Sequence, residues 1–312
     1  MKKCMIAVTL AAAVMLVVAS CAVEAPVDEL AYEAQVDADF EAVVATLGTA
    51  DAARAFAGFD EKYGTSLSVD FAEQLSAPRF SSGGTNYAEL LDMPFAVDGA
   101  VYLSGGGEGL VSSVIGWVAP KSLPGGYYHG AVLDLDKFDP NNLEAASLQT
   151  AIAKGAGYES AYDWQRQVNA CVLDPVFTVN RARLNSAQSA IDYYCDPDNT
   201  DMSYGFFEGY VNIFNLVEKE SNDWWYCTKT VWRMYDRYGI DVDSNSPRVD
   251  FSDSGLYSLV KAYYNARYFY SSSKAKAAIA AYIADARRTI VMAEEIMLSP
   301  YLSKVYEAIR AE

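Results

Sequence analysis

Three textures follow one another along the chain. From Leu30 to Leu75 apolar residues recur at helical spacing, as in Phe40, Val43, Val44 and Leu47, with breaks at Gly48 and Gly64. This spacing predicts a small group of helices beside a core. From Ala88 to about Ser147, short apolar runs (Ala100 to Leu103, Leu110 to Val118, Gly130 to Leu135) alternate with Gly and Pro punctuation, as strands and turns do. Helical spacing returns over residues 184–194, 205–218 and 224–238. It is then nearly continuous from Leu256 to Arg310, interrupted at Ser271 to Ser273 and at Ser299-Pro300. Strands confined to one stretch, with helices on either side, predict an α+β fold and not an alternating βαβ sheet.

The N-terminus has a different character. Lys2 and Lys3 precede an apolar, uncharged run from Met5 to Val18, 14 residues long, against the roughly 20 needed to span a bilayer as a helix. It reads as an export signal. The run ends in Val18-Ala19-Ser20-Cys21, which looks like the lipobox of bacterial lipoproteins; cleavage there makes Cys21 the lipid-bearing mature N-terminus, whereas an ordinary signal peptide would be cut after a small residue. No second run is long and apolar enough to cross a membrane, so the expected location is the bacterial cell envelope, periplasmic or at the cell surface. The membrane is then met only through the acyl anchor.

Charge narrows the partners. The 312 residues carry 24 Lys plus Arg against 41 Asp plus Glu, a formal charge of -17; removing residues 1–20 takes two lysines and gives -17 - 2 = -19. Nucleic acid is therefore not an expected partner. At 52% hydrophobic and 21% charged the chain is globular. Tyrosine clusters such as Tyr263, Tyr264, Tyr268, Phe269 and Tyr270 read as packing at helical spacing.

The chemistry-bearing residues are few: one histidine, His129, and five cysteines at 4, 21, 171, 195 and 227. No paired cysteine spacing or second histidine supports a zinc site, and no cofactor is expected. Ser104-Gly105-Gly106-Gly107 lacks the Gly-Lys-Ser/Thr of a phosphate loop. The acidic stretches at Asp134, Asp136 and Asp139, at Asp196, Asp198 and Asp201, and at Asp241, Asp243 and Asn245 lack the glycine and glutamate of a calcium loop. No Gly-x-Ser-x-Gly elbow is present to recruit His129. Cys227 has a better setting. Ser221, Asn222 and Asp223 are capping residues ahead of helical spacing from Trp224 to Tyr238, which puts Cys227 in a first turn whose N–H groups favour a thiolate and an oxyanion. A buried structural cysteine is the alternative. His129 opens the apolar run Gly130-Ala131-Val132-Leu133 straight after a turn, where a base can reach another element.

These residues resemble a family. Tyr-Tyr-His-Gly-Ala-Val-Leu at 127–133 is similar to the His-x-Gly-Ile strand of the NlpC-type papain-like hydrolases, and Trp-Tyr-Cys-Thr-Lys-Thr-Val at 225–231 to their Tyr-Cys-Ser-x-x-Val helix. Histidine precedes cysteine by 227 - 129 = 98 residues, the order of the circularly permuted, YiiX-like branch. Val97-Asp98-Gly99-Ala100-Val101 resembles the Gly-Asp-Ile-Ile strand with Asp and Gly exchanged, Ser203-Tyr204-Gly205-Phe206 the Tyr-containing segment before the cysteine, and Gly239-Ile240-Asp241 the end of its helix. Thr228 stands where the family commonly has Ser. The resemblance covers about Asp92 to Asp243 and implies a permuted papain-like core over 88–245. A signal peptide (1–20), a linker with N-terminal helices (21–87) and a C-terminal helical segment (246–312) flank it.

By the same resemblance a third polar residue follows the histidine strand. Glu144 in Leu143-Glu144-Ala145 matches that position, and a hairpin turning at Asp136-Lys137 would set it opposite His129. A turn at Pro140-Asn141-Asn142 would move it away, and Asp134 is the second candidate. The implied activity is that of a cysteine peptidase or amidase: Cys227 attacks a carbonyl, His129 moves the proton, Glu144 orients the imidazole, and the amide cleaved belongs to a cell-wall peptide such as peptidoglycan. Two alternatives stay open: a lipid thioesterase or acyltransferase of the same fold, and a non-catalytic surface-binding lipoprotein. Cys171 and Cys195 are the expected disulfide in an oxidising compartment, whereas a bridge from Cys195 to Cys227 would favour the binding role.

Overall fold

A computed structural model describes residues 28–76, 90–105, 115–152, 155–195, 203–205 and 215–309. The signal peptide and Cys21 lie outside them. The first element group is helical: α1 (Glu29–Val44), α2 (Ala52–Tyr63) and α3 (Leu67–Ser76). Asp28 caps α1 through its carboxylate, and Gly64 ends α2 in the left-handed region at φ 65°, where a side chain would be strained. The sheet is built next from β1 (Val101–Gly105), β2 (His129–Leu133), β3 (Ala146–Ile152), β4 (Gly155–Ser160) and β5 (Asn169–Pro175), with the short α4 (Ala161–Trp164) after β4. Then come α5 (Arg181–Cys195), a two-stranded pair of β6 (Ser203–Tyr204) and β7 (Trp224–Trp225), α6 (Cys227–Tyr238), α7 (Gly255–Arg267), α8 (Ser272–Thr289), α9 (Ala293–Met297) and β8 (Leu302–Ala308).

The six-stranded sheet runs in the order β4-β3-β2-β1-β5-β8, antiparallel throughout. Alternation along its strands divides the core. Val101, Leu103, Val132, Cys171 and Leu173 face α5 and α6, meeting Leu184, Ile191, Val231, Met234 and Tyr235. Tyr102, Ala131, Leu133, Leu148, Ala170 and Val172 face the other way and close around Trp164. A third core joins α1, α2 and α3 to α7 and α8 through Phe40, Phe56, Phe71, Trp117, Leu259 and Tyr263. The mixed α+β class is as expected, with two corrections. The C-terminal stretch is not all helix, because Leu302–Ala308 pairs with β5 and forms a sheet edge. Residues 115–118, expected in a strand, are helical, and Trp117 and Val118 join the helical core. The run 205–218 lies largely outside the described residues, and 215–218 are not helical.

The expected disulfide is also corrected. Cys171 is a free thiol buried in the middle of β5; burial pushes it up to about 12, so it behaves as a packed apolar group. Cys227 is free as well, so neither bridge forms.

One buried charge shapes the approach to α6. Lys229 is fully buried, and its Nζ donates to Glu218 O at 2.8 Å, Ser221 Oγ at 3.0 Å and Trp224 O at 2.6 Å, one acceptor for each ammonium proton. The chain from 218 to 224 is thereby wrapped onto the helix that follows it. Lys229→Met would strand all three oxygens, and is expected to cost roughly 3 kcal/mol or more. Denaturant unfolding of the variant would measure the loss.

Candidate active site

The nucleophile candidate is placed by two short elements. β6 and β7 pair in parallel, Ser203 with Trp224 and Tyr204 with Trp225, so α6 starts at Cys227 and not at the expected Trp224. The reason is local: Ser221 and Asn222 are occupied elsewhere, Ser221 by Lys229 and Asn222 by Arg233. Tyr226 takes the N-cap position in extended backbone and gives no side-chain cap. Cys227 is therefore the first helical residue, where N–H groups lack intrahelical acceptors. Cys227 is 1% exposed, and its sulfur donates to Tyr128 O at 3.5 Å.

His129 follows Tyr128 at the start of β2, the end of the strand nearest that first turn. Its Nε2 lies 2.9 Å from Glu159 Oε2, and the same oxygen accepts from Trp164 Nε1 at 2.9 Å. The Trp164 ring stacks on the imidazole, 5.4 Å between centroids and 16° between planes. Ser160 caps α4 by accepting from Asp163 N, and the single turn that follows carries Trp164 back over Glu159. Burial alone would push the imidazole down. The Glu159 carboxylate and the Cys227 sulfur, through charge and side-chain hydrogen bonds, outweigh it and carry His129 up to about 10. Glu159 is raised by burial but lowered further by His129 and Trp164, so it sits below the ordinary carboxylate range. The tyrosine of β6 completes the cluster: burial, the charge of Cys227 and a hydrogen bond with it raise the Tyr204 hydroxyl.

Glu144 is not in this site. The β2–β3 ladder pairs Val132 with Gln149 and Leu133 with Leu148, so its register, continued, sets Ile152 level with His129. Residues 134–145 form a loop held by Asp134 and Asp139, whose carboxylates accept from Asp136 N and Asn141 N. That leaves Glu144 exposed in the loop. Asp134, the second candidate, is engaged by the loop and by Lys137 at 3.4 Å. The carboxylate that does reach His129 comes one strand later. Its sequence signal was a glutamate closing the short strand Gly155–Ser160, followed five residues on by a tryptophan. Among the described residues, no group of three or more His, Cys, Asp or Glu is placed to hold a metal ion.

No protein-family model matches the chain, and no curated protein matches it. Among solved structures, the crystal structure of the metalloprotein yiiX from Escherichia coli O157:H7 is similar to it, at 16% identity and a TM-score of 0.41, over 69% of this chain and 99% of that one. The overlap is loose, and the reading of the site rests on its own geometry.

The raised imidazole has a direct readout, because His129 is the only histidine. Its ring resonances should titrate with a midpoint near 10 in the native protein. Glu159→Gln should lower that midpoint by more than about one pH unit, since the strongest opposing charge is gone. The sign for stability follows. A group raised on folding stabilises fully below its unfolded value of about 6.5, and that contribution fades as pH rises through about 10. Alkaline unfolding should thus begin at lower pH in Glu159→Gln. A midpoint unchanged by the substitution would show that Glu159 does not hold the ring.

Proposed function

We propose that this chain is an exported cysteine hydrolase with a permuted papain-like core, anchored by lipid at Cys21, that cleaves an amide in a cell-wall peptide. The observation that carries the reading is the array of Cys227 at a helix start, His129 at a strand start, and Glu159 on the far side of the imidazole.

Glu159 engages Nε2, so Nδ1 is the nitrogen that exchanges a proton with Cys227. With the proton already on Nδ1 of the raised imidazole, the sulfur attacks the substrate carbonyl carbon as the thiolate of a Cys227–His129 ion pair. The carbonyl oxygen becomes an oxyanion, opposite the uncapped N–H groups of the first turn of α6 and the Tyr204 hydroxyl. His129 then delivers the proton to the departing nitrogen, the C–N bond breaks and a thioester remains on Cys227. Water, deprotonated by Nδ1, attacks the thioester and releases the acid and the thiol. Glu159 holds the ring and balances its charge throughout, while Trp164 fixes the plane and keeps water from the Glu159–His129 bond. The resemblance supplies the hydrolase class, and the lipobox supplies the envelope substrate.

Cys227→Ala is expected to abolish release of amines from peptidoglycan fragments, and His129→Ala to lower it by at least about 1,000-fold. Mass spectrometry of the acyl group trapped on Cys227 separates a peptide from a lipid substrate. Undiminished turnover in Cys227→Ala would sink the proposal.

A further inference from the structure

Cys227 lies between two residues whose side chains grip one backbone unit far along the chain. Thr228 Oγ1 donates to Val291 O at 2.7 Å, and the Tyr226 hydroxyl accepts from Val291 N at 3.0 Å. Both polar groups of Val291 are thus used by the two neighbours of the cysteine, and Val291, Tyr226 and Thr228 are all buried. The strap that contains Val291 joins α8 to α9 and is pinned at both ends. At one, Lys219 N donates to Thr289 O at 2.9 Å. At the other, Glu295 Oε2 accepts from Met292 N at 3.0 Å.

The same strap reaches the histidine. Glu294, next but one to Met292 and buried, accepts from Leu123 N at 2.8 Å and Ser122 N at 3.2 Å. Those residues begin the loop that runs through Gly125 and Gly126 to His129. Asn169 Nδ2 donates to Gly125 O at 3.0 Å and Tyr128 N to Ser104 O at 3.0 Å, so the far end of the loop is tied to the sheet. One short segment therefore bonds to the residues flanking the cysteine and to the loop that leads into the histidine. It lies in the part of the chain outside the family resemblance.

We propose that the strap Ile290–Met292, with Glu294, is the positioning element of the Cys227–His129 pair, setting the nucleophile helix against the histidine strand through Tyr226, Thr228 and the 122–128 loop. The proposal rests on the pairing of Cys227 with His129 argued above. These residues touch neither substrate nor reacting atoms; they act through the placement of the sulfur. Removing a grip should let the first turn of α6 drift from the ring, weakening the contact through which Cys227 raises His129.

The test is the titration of His129 by its ring resonances in the full chain. Cys227→Ala calibrates it by removing the sulfur, and should lower the midpoint. Thr228→Val keeps shape but loses the donor, and Tyr226→Phe loses the acceptor. Each is expected to lower the midpoint by about one pH unit while the protein stays folded, and Thr228→Ser, which keeps the hydroxyl, should restore the native value. If Tyr226→Phe does not fold, the Thr228 pair carries the test alone. Folded Thr228→Val with the native midpoint, while Cys227→Ala moves it, would overturn the strap. A Cys227→Ala midpoint equal to the native one would overturn the pairing, and the strap with it. Midpoints that move as expected in a protein that hydrolyses no amide would support the strap and overturn the hydrolase.

Discussion

One close contact of helix with sheet, at Gly130, positions the site. Gly130, the residue after His129, has no side chain on the face that meets α6; a β-carbon there would come within 3.3 Å of Val231 Cγ2 and 3.5 Å of Thr228 Cγ2. A β-carbon there would make Val231 give by a few tenths of an ångström, and a larger side chain would press α6 away from β2. Because Cys227 is one residue before Thr228 and His129 one before Gly130, that lift would fall on the sulfur-to-imidazole gap. The carbonyl of Gly130 is held by Thr150 Oγ1 at 2.6 Å, so the strand cannot easily yield in place of the helix. A glycine chosen for packing thus bears on how closely Cys227 and His129 approach.

Around this contact, buried polar tethers take over from apolar area as the means of fixing position. The apolar face of α6, formed by Val231, Met234 and Tyr235, holds the helix on the sheet but would tolerate sliding along its axis. Hydrogen bonds with one geometry do not. Lys229 fixes the approach to the helix, Tyr235 donates to Gly99 O at 2.5 Å further along it, and Thr228 with Tyr226 fixes its start. Each such group is expensive to leave unpaired in the interior, which gives the arrangement its uniqueness.

How much of this the chain discloses in one dimension depends on the range of the interaction. The cysteine helix and the histidine strand were legible because each is written in a few consecutive residues: His129 with Gly130-Ala131-Val132-Leu133, and Cys227 with Val231 and Met234 at helical spacing. The start of α6 lies three residues beyond the one the spacing predicts, since Ser221 resembles a cap and is in fact an acceptor for Lys229 eight positions later. Glu144 matches the family's third polar position, and only a tight hairpin after β2 would set it opposite His129. The loop of Asx turns from Asp134 to Asn142 lengthens the connection and shifts the register, and the carboxylate beside His129 is Glu159. β8 looked helical because its alternation is short and its pairing partner, β5, lies more than a hundred residues earlier. No local pattern encodes that kind of closure.

The charge count of the cluster decides what else the site needs. In the proposed mechanism the protonated imidazole and ionised Glu159 form a neutral pair, and attack by Cys227 would move one negative charge from sulfur to the substrate oxygen without changing the total. His129 would not stabilise that oxygen as well, because its Nε2 is engaged by Glu159 and the proposed mechanism gives Nδ1 to the sulfur. The compensating donors must lie on the other side of the sulfur, where water is scarce: Cys227 itself is almost fully covered. In the proposed mechanism the first-turn N–H groups of α6, to which Tyr226 gives no side-chain cap, and the hydroxyl of Tyr204 would serve as those donors. In that dry setting fixed dipoles count for more than they would in water. An N-cap of Ser or Asp at 226 would occupy an N–H that the proposed oxyanion site uses, so a tyrosine that gives no side-chain cap there fits the proposed chemistry as well as the packing.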